Sequence, residues 1–295
     1  MQLFASADRL PDREAPINVA SIPQRSLFRY PGGKTWFVPA FRKWLKSLGR
    51  KPSLLVEPFA GGGIISLTGL FENLVDQALL VEIDPEIASV WETVIAGNSE
   101  WLADRILNFS LSRETVLAEL SRPPEDSRQR AFQTILKNRV LHGGILAKGS
   151  GFIKQGESGK GLASRWYPAT LAARLRNLDL IVSKMKFYQD DGIKILQEYT
   201  DKPDAVYFID PPYTAGGKKA GRRLYNHSDL DHEKLFRLAQ TLKGDFLMTY
   251  DNAPEVRQMA INHGFKITTI PMNNTHHAEI RELVIARDLT WLENF

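Results

Sequence analysis

Short apolar runs bounded by turn residues recur along the chain at 53–59, 78–84, 185–189, 205–210, 245–250, 265–271 and 282–286. Their length and near-continuous apolar character predict strands buried on both faces. Apolar positions at helical spacing fall between several of them, at 64–74, 85–96, 232–242 and 254–263. Strands alternating with helices predict an α/β fold with a mainly parallel sheet. No helix separates the last two runs, so an antiparallel hairpin is expected at the sheet edge. From Trp91 to Val182 the pattern stays helical without a clear strand, and residues 143–167 are rich in Gly, Ser and Lys. The expected organisation is therefore an extension at 1–25, a sheet domain built from 26–91 and 183–295, and an inserted, mainly helical domain at 92–182.

Charge sharpens the picture of the insert. The chain of 295 residues carries a net +4, but residues 122–176 hold eleven Lys/Arg and three acids, a local +8 that leaves the remainder at −4. A basic block in an otherwise slightly acidic protein suggests an anionic polymer as partner, with a solvated lysine-rich surface as the plain alternative. Hydrophobic residues at 43% and charged residues at 24% exclude a disordered chain. No apolar run approaches the roughly 18 residues of a membrane span, and the acidic, proline-containing start does not read as a signal peptide. We expect no membrane association and a cytoplasmic location, in a bacterium or a phage-infected host. Cysteine is absent, which excludes disulfides, thiolate metal sites and a cysteine nucleophile.

Three motifs carry the chemistry. Glu57-Pro58-Phe59-Ala60-Gly61-Gly62-Gly63 falls between a strand and a helix, where glycine lets a ligand approach the backbone. Glu82 follows at the end of the next strand, about 20 residues on, where an acid accepts hydrogen bonds from ribose hydroxyls. Asp84, just before Pro85, fits a helix N-cap. The glycines do not follow GxGxxG, so a ligand with adenosine but no phosphates, such as S-adenosylmethionine, fits better than a dinucleotide. Asp210-Pro211-Pro212-Tyr213 closes the strand at 205–209. This tetrapeptide arises by chance in roughly one chain per thousand of this length. Its Asp210 carboxylate and Pro211 carbonyl suit the two N–H groups of an exocyclic amine. Its prolines stiffen the loop, and Tyr213 offers a ring for base stacking. Such a site contributes mainly positioning, and the base must leave the duplex to reach it.

With these residues in hand, the sequence resembles the Dam-type (D12 class, α-ordered) DNA adenine-N6 methyltransferases. Arg29-Tyr30-Pro31-Gly32-Gly33-Lys34 matches the family's first element, Glu57–Gly63 its glycine motif, Glu82 its ribose acid, and Asp210–Tyr213 its DPPY tetrapeptide. The resemblance covers most of 26–288. It implies a Rossmann-like methyltransferase sheet with an inserted target-recognition domain, S-adenosylmethionine as cofactor, and double-stranded DNA as partner. By the same resemblance Tyr30, Lys34, Glu82 and Asp210 contact the cofactor, and Pro58, Phe59, Gly61, Gly63 and Ile83 line it. Asp191 matches the acid for the cofactor's adenine amine, or is an exposed loop acid. Pro211, Pro212 and Tyr213 join Asp210 as catalytic residues. The insert lacks the FN-V-P-[YF]-G stretch of GATC-methylating members, so its target sequence is open.

DNA contacts are expected from Lys137, Arg139, His142, Lys148, Lys154 and Arg165 in the insert. Trp166 and Tyr167 beside them read as core aromatics rather than as stacking groups. Lys218 and Lys219 are expected on a loop that orders over the target base. A rival reading places a 2-His-1-carboxylate iron site at His227 and Asp229 with His263, His276 or His277, but leaves the DPPY tetrapeptide unexplained. Cytosine-N4 methylation and a catalytically silent DNA-binding subunit stay as alternatives. A monomer is expected. Restriction–modification, with a separately acting cognate endonuclease, is one of several settings that would use such an enzyme.

Overall fold

Every predicted apolar run forms a strand in the computed structural model, which describes residues 19–29, 32–146, 150–156, 159–212, 230–273 and 279–292. They are β1 (Leu54–Glu57), β2 (Gln77–Val81), β3 (Met185–Tyr188), β4 (Ala205–Ile209), β5 (Asp245–Asp251), β6 (Lys266–Asn273) and β7 (Glu279–Ala286). One sheet holds them in the order β3-β2-β1-β4-β5-β7-β6. β1 to β5 run parallel. β7 runs antiparallel to both β5 and β6. The expected hairpin forms, with β7 slotted inward and β6 left as the edge. The chain winds outward from β1 to β3 and then returns to β4 on the other side of β1. That reversal opens a crevice at the carboxyl ends of β1 and β4, where ligands of open α/β sheets bind.

The central strands face apolar layers on both sides, which explains their continuous hydrophobic sequence. Alternate residues divide between the two faces. Leu55, Val206, Phe208 and Leu247 meet Phe37, Phe41 and Trp91, while Val56, Tyr207, Ile209 and Met248 meet Phe236, Phe246 and Phe265. The first face is covered by α1 (Val38–Ser47), α2 (Ile64–Phe71) and α3 (Pro85–Ile95). Then follow the helices between β2 and β3: α4 (Ser99–Leu107), α5 (Arg113–Leu120), α6 (Ser127–Val140) and α7 (Pro168–Leu178). The second face is covered by α8 (Gly192–Glu198), α9 (His232–Thr241) and α10 (Pro254–Asn262). α1 and α8 have no counterpart among the elements expected from the sequence pattern. α2 stops three residues short of its expected end, where Asn73 takes a φ of 54°.

Phe132, Ile135, Leu136, Leu171 and Leu175 of the helical layer belong to the same apolar cluster as Trp91 and Phe208. Among the described residues this layer has no apolar centre separate from that face of the sheet. Among the described residues its strand-like content is one antiparallel bridge, Leu141 to Phe152, which closes the loop after α6. No described helix is long and apolar enough to cross a membrane.

Candidate active site

At the end of β1 the backbone turns through Ala60 to Gly63 and enters α2. Gly63 caps that helix at a φ of 61°, and a Cβ there would lie 2.9 Å from the Trp91 ring. Trp91 Nε1 donates to the Gly61 carbonyl (3.0 Å), and Gly61 N–H donates to Glu82 (3.0 Å). A glycine cap has no side chain to receive the first helical N–H groups. Glu57 takes that place from β1: its Oε2 accepts from both the Ser66 N–H and the Ser66 hydroxyl. Burial pushes the Glu57 carboxyl up to about 8, with the Ser66 bonds pulling the other way.

Glu82 stands at the end of β2 and also accepts from the Asp84 N–H (2.9 Å). Burial raises it to about 7 against these backbone donors. Asp84 accepts from Glu86 N–H (2.8 Å) and so caps α3, as expected. Ile83 between them is 43% exposed, an apolar side chain left facing outward at a strand end. Pro58 is buried and Phe59 half-buried in the same turn. Asp191 is the N-cap of α8, accepting from Ile193 N–H (2.8 Å), a role the sequence reading had not weighed for it.

Asp210 follows β4. Lys34 reaches it from the short helical turn Lys34–Phe37, with Nζ 2.9 Å from Oδ2. The same ammonium lies 3.0 Å from Glu282 Oε1 on β7 and donates to the Gly32 carbonyl at 2.8 Å. Thr249 on β5 donates to the other Asp210 oxygen (2.8 Å). Lys34 is 3% and Glu282 5% exposed. Burial alone would lower Lys34, but Asp210 and Glu282 outweigh it and hold the ammonium above its ordinary range. Burial raises Asp210, with Lys34 opposing, and raises Glu282 to about 7. One ammonium thus sits between the half-buried Asp210 after β4 and the buried Glu282 on β7. Pro211 is buried and Pro212 half-buried beside them.

The structure therefore brings Lys34, Gly61, Gly63, Glu82 and Asp210 to the carboxyl ends of adjacent strands. Tyr30 and Tyr213 lie outside the described residues. Thr249 and Glu282 were missed. The one signal for Glu282 was an acid opening the apolar run Leu283–Ala286, a polar residue spent inside a buried strand.

The expected DNA contacts spread more widely. His142 and Lys154 are exposed and Arg165 half-buried. Lys137 is ion-paired with Glu86. Arg139 is 4% exposed and donates to the Leu27 carbonyl. Lys148, Lys218 and Lys219 lie outside the described residues. Trp166 is 9% exposed, edge-on to Phe109, whereas Tyr167 is 46% exposed. Of the rival iron set, His227, Asp229, His276 and His277 lie outside the described residues. His263 bonds Glu233 (2.9 Å) and stacks on Phe265. No described group of acids and histidines has a metal-holding arrangement.

The D12 class N6 adenine-specific DNA methyltransferase family matches residues 30–272. No curated protein matches the sequence. Among solved structures, similar chains include a putative RNA methyltransferase from Pyrococcus horikoshii, at 14% identity, TM-score 0.37 and 91% of each chain covered. Another is an rRNA methylase from Streptococcus thermophilus, at 11% identity and TM-score 0.37, covering 86% of this chain and 97% of that one. A third is a precorrin-6y C5,15-methyltransferase from Geobacter metallireducens, at 8% identity and TM-score 0.38, covering 84% and 87%. Glycine turn, strand-end acid and Lys34-anchored Asp210 all fall within the matched residues, and the chain belongs to the D12 class N6 adenine-specific DNA methyltransferases.

Proposed function

We propose that this adenine-specific DNA methyltransferase reads a particular duplex sequence through residues 92–182 and turns the target adenine out of the helix. Its N6 is then methylated at the carboxyl end of β4. The observation that carries this reading is the double anchoring of Asp210, by Lys34 on one oxygen and Thr249 on the other.

Adenine N6 is a poor nucleophile because its lone pair is delocalised into the ring. A carboxylate oxygen accepts more than one hydrogen bond, so an anchored Asp210 keeps capacity for an N6 N–H. The Pro211 carbonyl takes the second N–H, and together they favour a pyramidal nitrogen. Lys34 favours the ionised, accepting form of Asp210. Two anchors fix the carboxylate before substrate arrives, which is where positioning gains its rate. Unstacking a base costs a few kcal/mol, offset in part by stacking on an aromatic ring, the role we assign to Tyr213.

The residues fit S-adenosylmethionine, which when bound supplies an electrophilic methyl on its sulfonium. The bare backbone of the glycine turn admits a close ligand. Glu82 retains acceptor capacity for ribose hydroxyls. Ile83 presents an apolar face for the adenine ring, and Lys34 and Asp210 flank the methionine end.

Two measurements test the proposal. Plasmid DNA incubated with protein and S-adenosylmethionine should yield N6-methyl-2′-deoxyadenosine when digested to nucleosides and weighed by mass spectrometry, and sequencing the same DNA for modified positions should place it at one recurring sequence. N4-methylcytosine, or N6-methyl-2′-deoxyadenosine scattered without sequence preference, would overturn the corresponding part. Asp210→Asn should cut turnover at least about a hundredfold, far more than it weakens the cofactor, since the lost charge and acceptor oxygen act in the transition state. Near-normal turnover would remove Asp210 from the mechanism.

A further inference from the structure

A lysine ammonium has three N–H donors, and Lys34 has three acceptors around it. Asp210 Oδ2 lies at 2.9 Å, Glu282 Oε1 at 3.0 Å and the Gly32 carbonyl at 2.8 Å. Asp210 has its part in the chemistry, and Gly32 is a local contact two residues away. Glu282 comes from β7 and needs a reason of its own. A buried carboxyl is costly unless a partner completes it, and its neighbours Leu283–Ala286 show that this strand otherwise takes apolar residues.

The main chain before Lys34 is fastened as a strap at 26–29. Arg174 Nη1 on α7 donates to the Ser26 carbonyl (2.8 Å), and Arg139 on α6 donates to the Leu27 carbonyl. Asn138 on α6 accepts from the Arg29 N–H (2.8 Å) and donates to its carbonyl (2.9 Å). Ser26 Oγ donates to the Gly62 carbonyl in the glycine turn (2.6 Å). These bonds hold the backbone as far as Arg29. The Lys34 ammonium lies beyond them, on a flexible four-carbon stem.

Asp210 is also past the end of regular structure, since the β4 ladder with β5 closes at Ile209 opposite Met248. Glu282 differs from both. It stands opposite Asp251 of β5 on one side and Ile270 of β6 on the other, so its backbone cannot shift without breaking two ladders. Asp251 is two residues beyond Thr249, which puts Thr249 and Glu282 on the same face of the sheet. From that face Asp210 is gripped twice. Thr249 holds Oδ1 directly, and Glu282 holds Oδ2 through Lys34.

We propose that Glu282 is a positioning residue for methyl transfer: it fixes the Lys34 ammonium from inside the sheet, and through it the Asp210 carboxylate that meets N6. The proposal rests on the reading of Asp210 as acceptor of an N6 N–H. What acts is the reach of the side chain and its acceptor oxygen.

Two conservative variants separate reach from charge. Glu282→Asp keeps the charge and shortens the arm by one carbon–carbon bond, about 1.5 Å. Glu282→Gln keeps the reach and an acceptor oxygen and gives up the charge. A misplacement of about 1 Å costs up to about a hundredfold in rate. Glu282→Asp should therefore lower kcat at least about tenfold, with KM for duplex DNA and Kd for S-adenosylmethionine within about twofold of wild type. Glu282→Gln should turn over at least about fivefold faster than Glu282→Asp. Thermal melting of both variants verifies the fold. A wild-type kcat in Glu282→Asp, equal losses in the two variants, or a slower Glu282→Gln overturns the proposal. A loss carried by cofactor affinity or by KM overturns it as well.

Crystal structures of the wild type and Glu282→Asp give a readout that needs no turnover. The gap from Lys34 Nζ to Asp210 Oδ2, 2.9 Å in the wild type, should open beyond about 3.5 Å. An unchanged gap means that Glu282 does not place the lysine. If Asp210→Asn keeps normal turnover while Glu282→Asp opens the gap, the reading of Asp210 falls and the hold of Glu282 on Lys34 stands.

Discussion

Lys34 shows what the sequence holds and what it hides. The GGK element marks it as a functional lysine, and nothing in its neighbourhood names Glu282 or Thr249 as its company. Those partners come from strands far along the chain, and only the sheet order sets them side by side. Asp84 and Glu82 were readable because their roles are local, at a helix start and a strand end. Asp191 was read from a short family match, and its N-cap geometry is equally local. The buried carboxyls carry a consequence for stability. Glu57, Glu82 and Glu282 are pushed by burial to about 8, about 7 and about 7. Each therefore holds a proton in the fold that the unfolded chain has released, between the ordinary carboxylate range and those values. Folding stability should fall as pH rises across that window. His232, lowered by burial, works in the other direction as one group against three. Lys34, raised, keeps its contribution throughout, because it is lost only above the ordinary lysine range. We expect the melting temperature of the ligand-free protein to drop from pH 5 to pH 8, and Glu57→Gln to flatten that drop. A melting temperature that rises over this range would show that the three carboxyls are ionised in the fold.

Strand periodicity was the most readable layer of the fold, because β1 and β4 are buried on both faces and carry almost nothing polar. Helices of the insert were readable as a class, whereas their docking was not, since an amphipathic stripe does not say which apolar surface it meets. The strap at 26–29 was invisible, for it forms no regular element and lives on side chains from α6 and α7. Its geometry makes a prediction about the loop after α6. Gly144 has a φ of 73°, and a Cβ there would come 2.5 Å from the Arg29 carbonyl oxygen. Gly264 has nearly the same φ, 75°, with nothing within 4 Å. Gly144→Ala should therefore cost at least about 1 kcal/mol more than Gly264→Ala, a difference of a few degrees in Tm. Equal losses in the two variants would mean that the loop does not press on the strap.

The basic block marks the insert by its charge, and the described apolar residues of its helices share one cluster with a face of the sheet. Composition reports charge and says little about where a core ends. Calorimetry should accordingly record a single cooperative transition. Two separable transitions would show that the layer between β2 and β3 folds independently.

The placement of β7 between β5 and β6 bears on the order of synthesis. Lys34 leaves the ribosome about 250 residues before its partner Glu282. Until β7 inserts, the sheet has no place for β6 and the lysine lacks one of its two acids. The nascent chain therefore accumulates its helices and parallel strands without a finished catalytic centre, and closure of that long loop is the step that makes an enzyme.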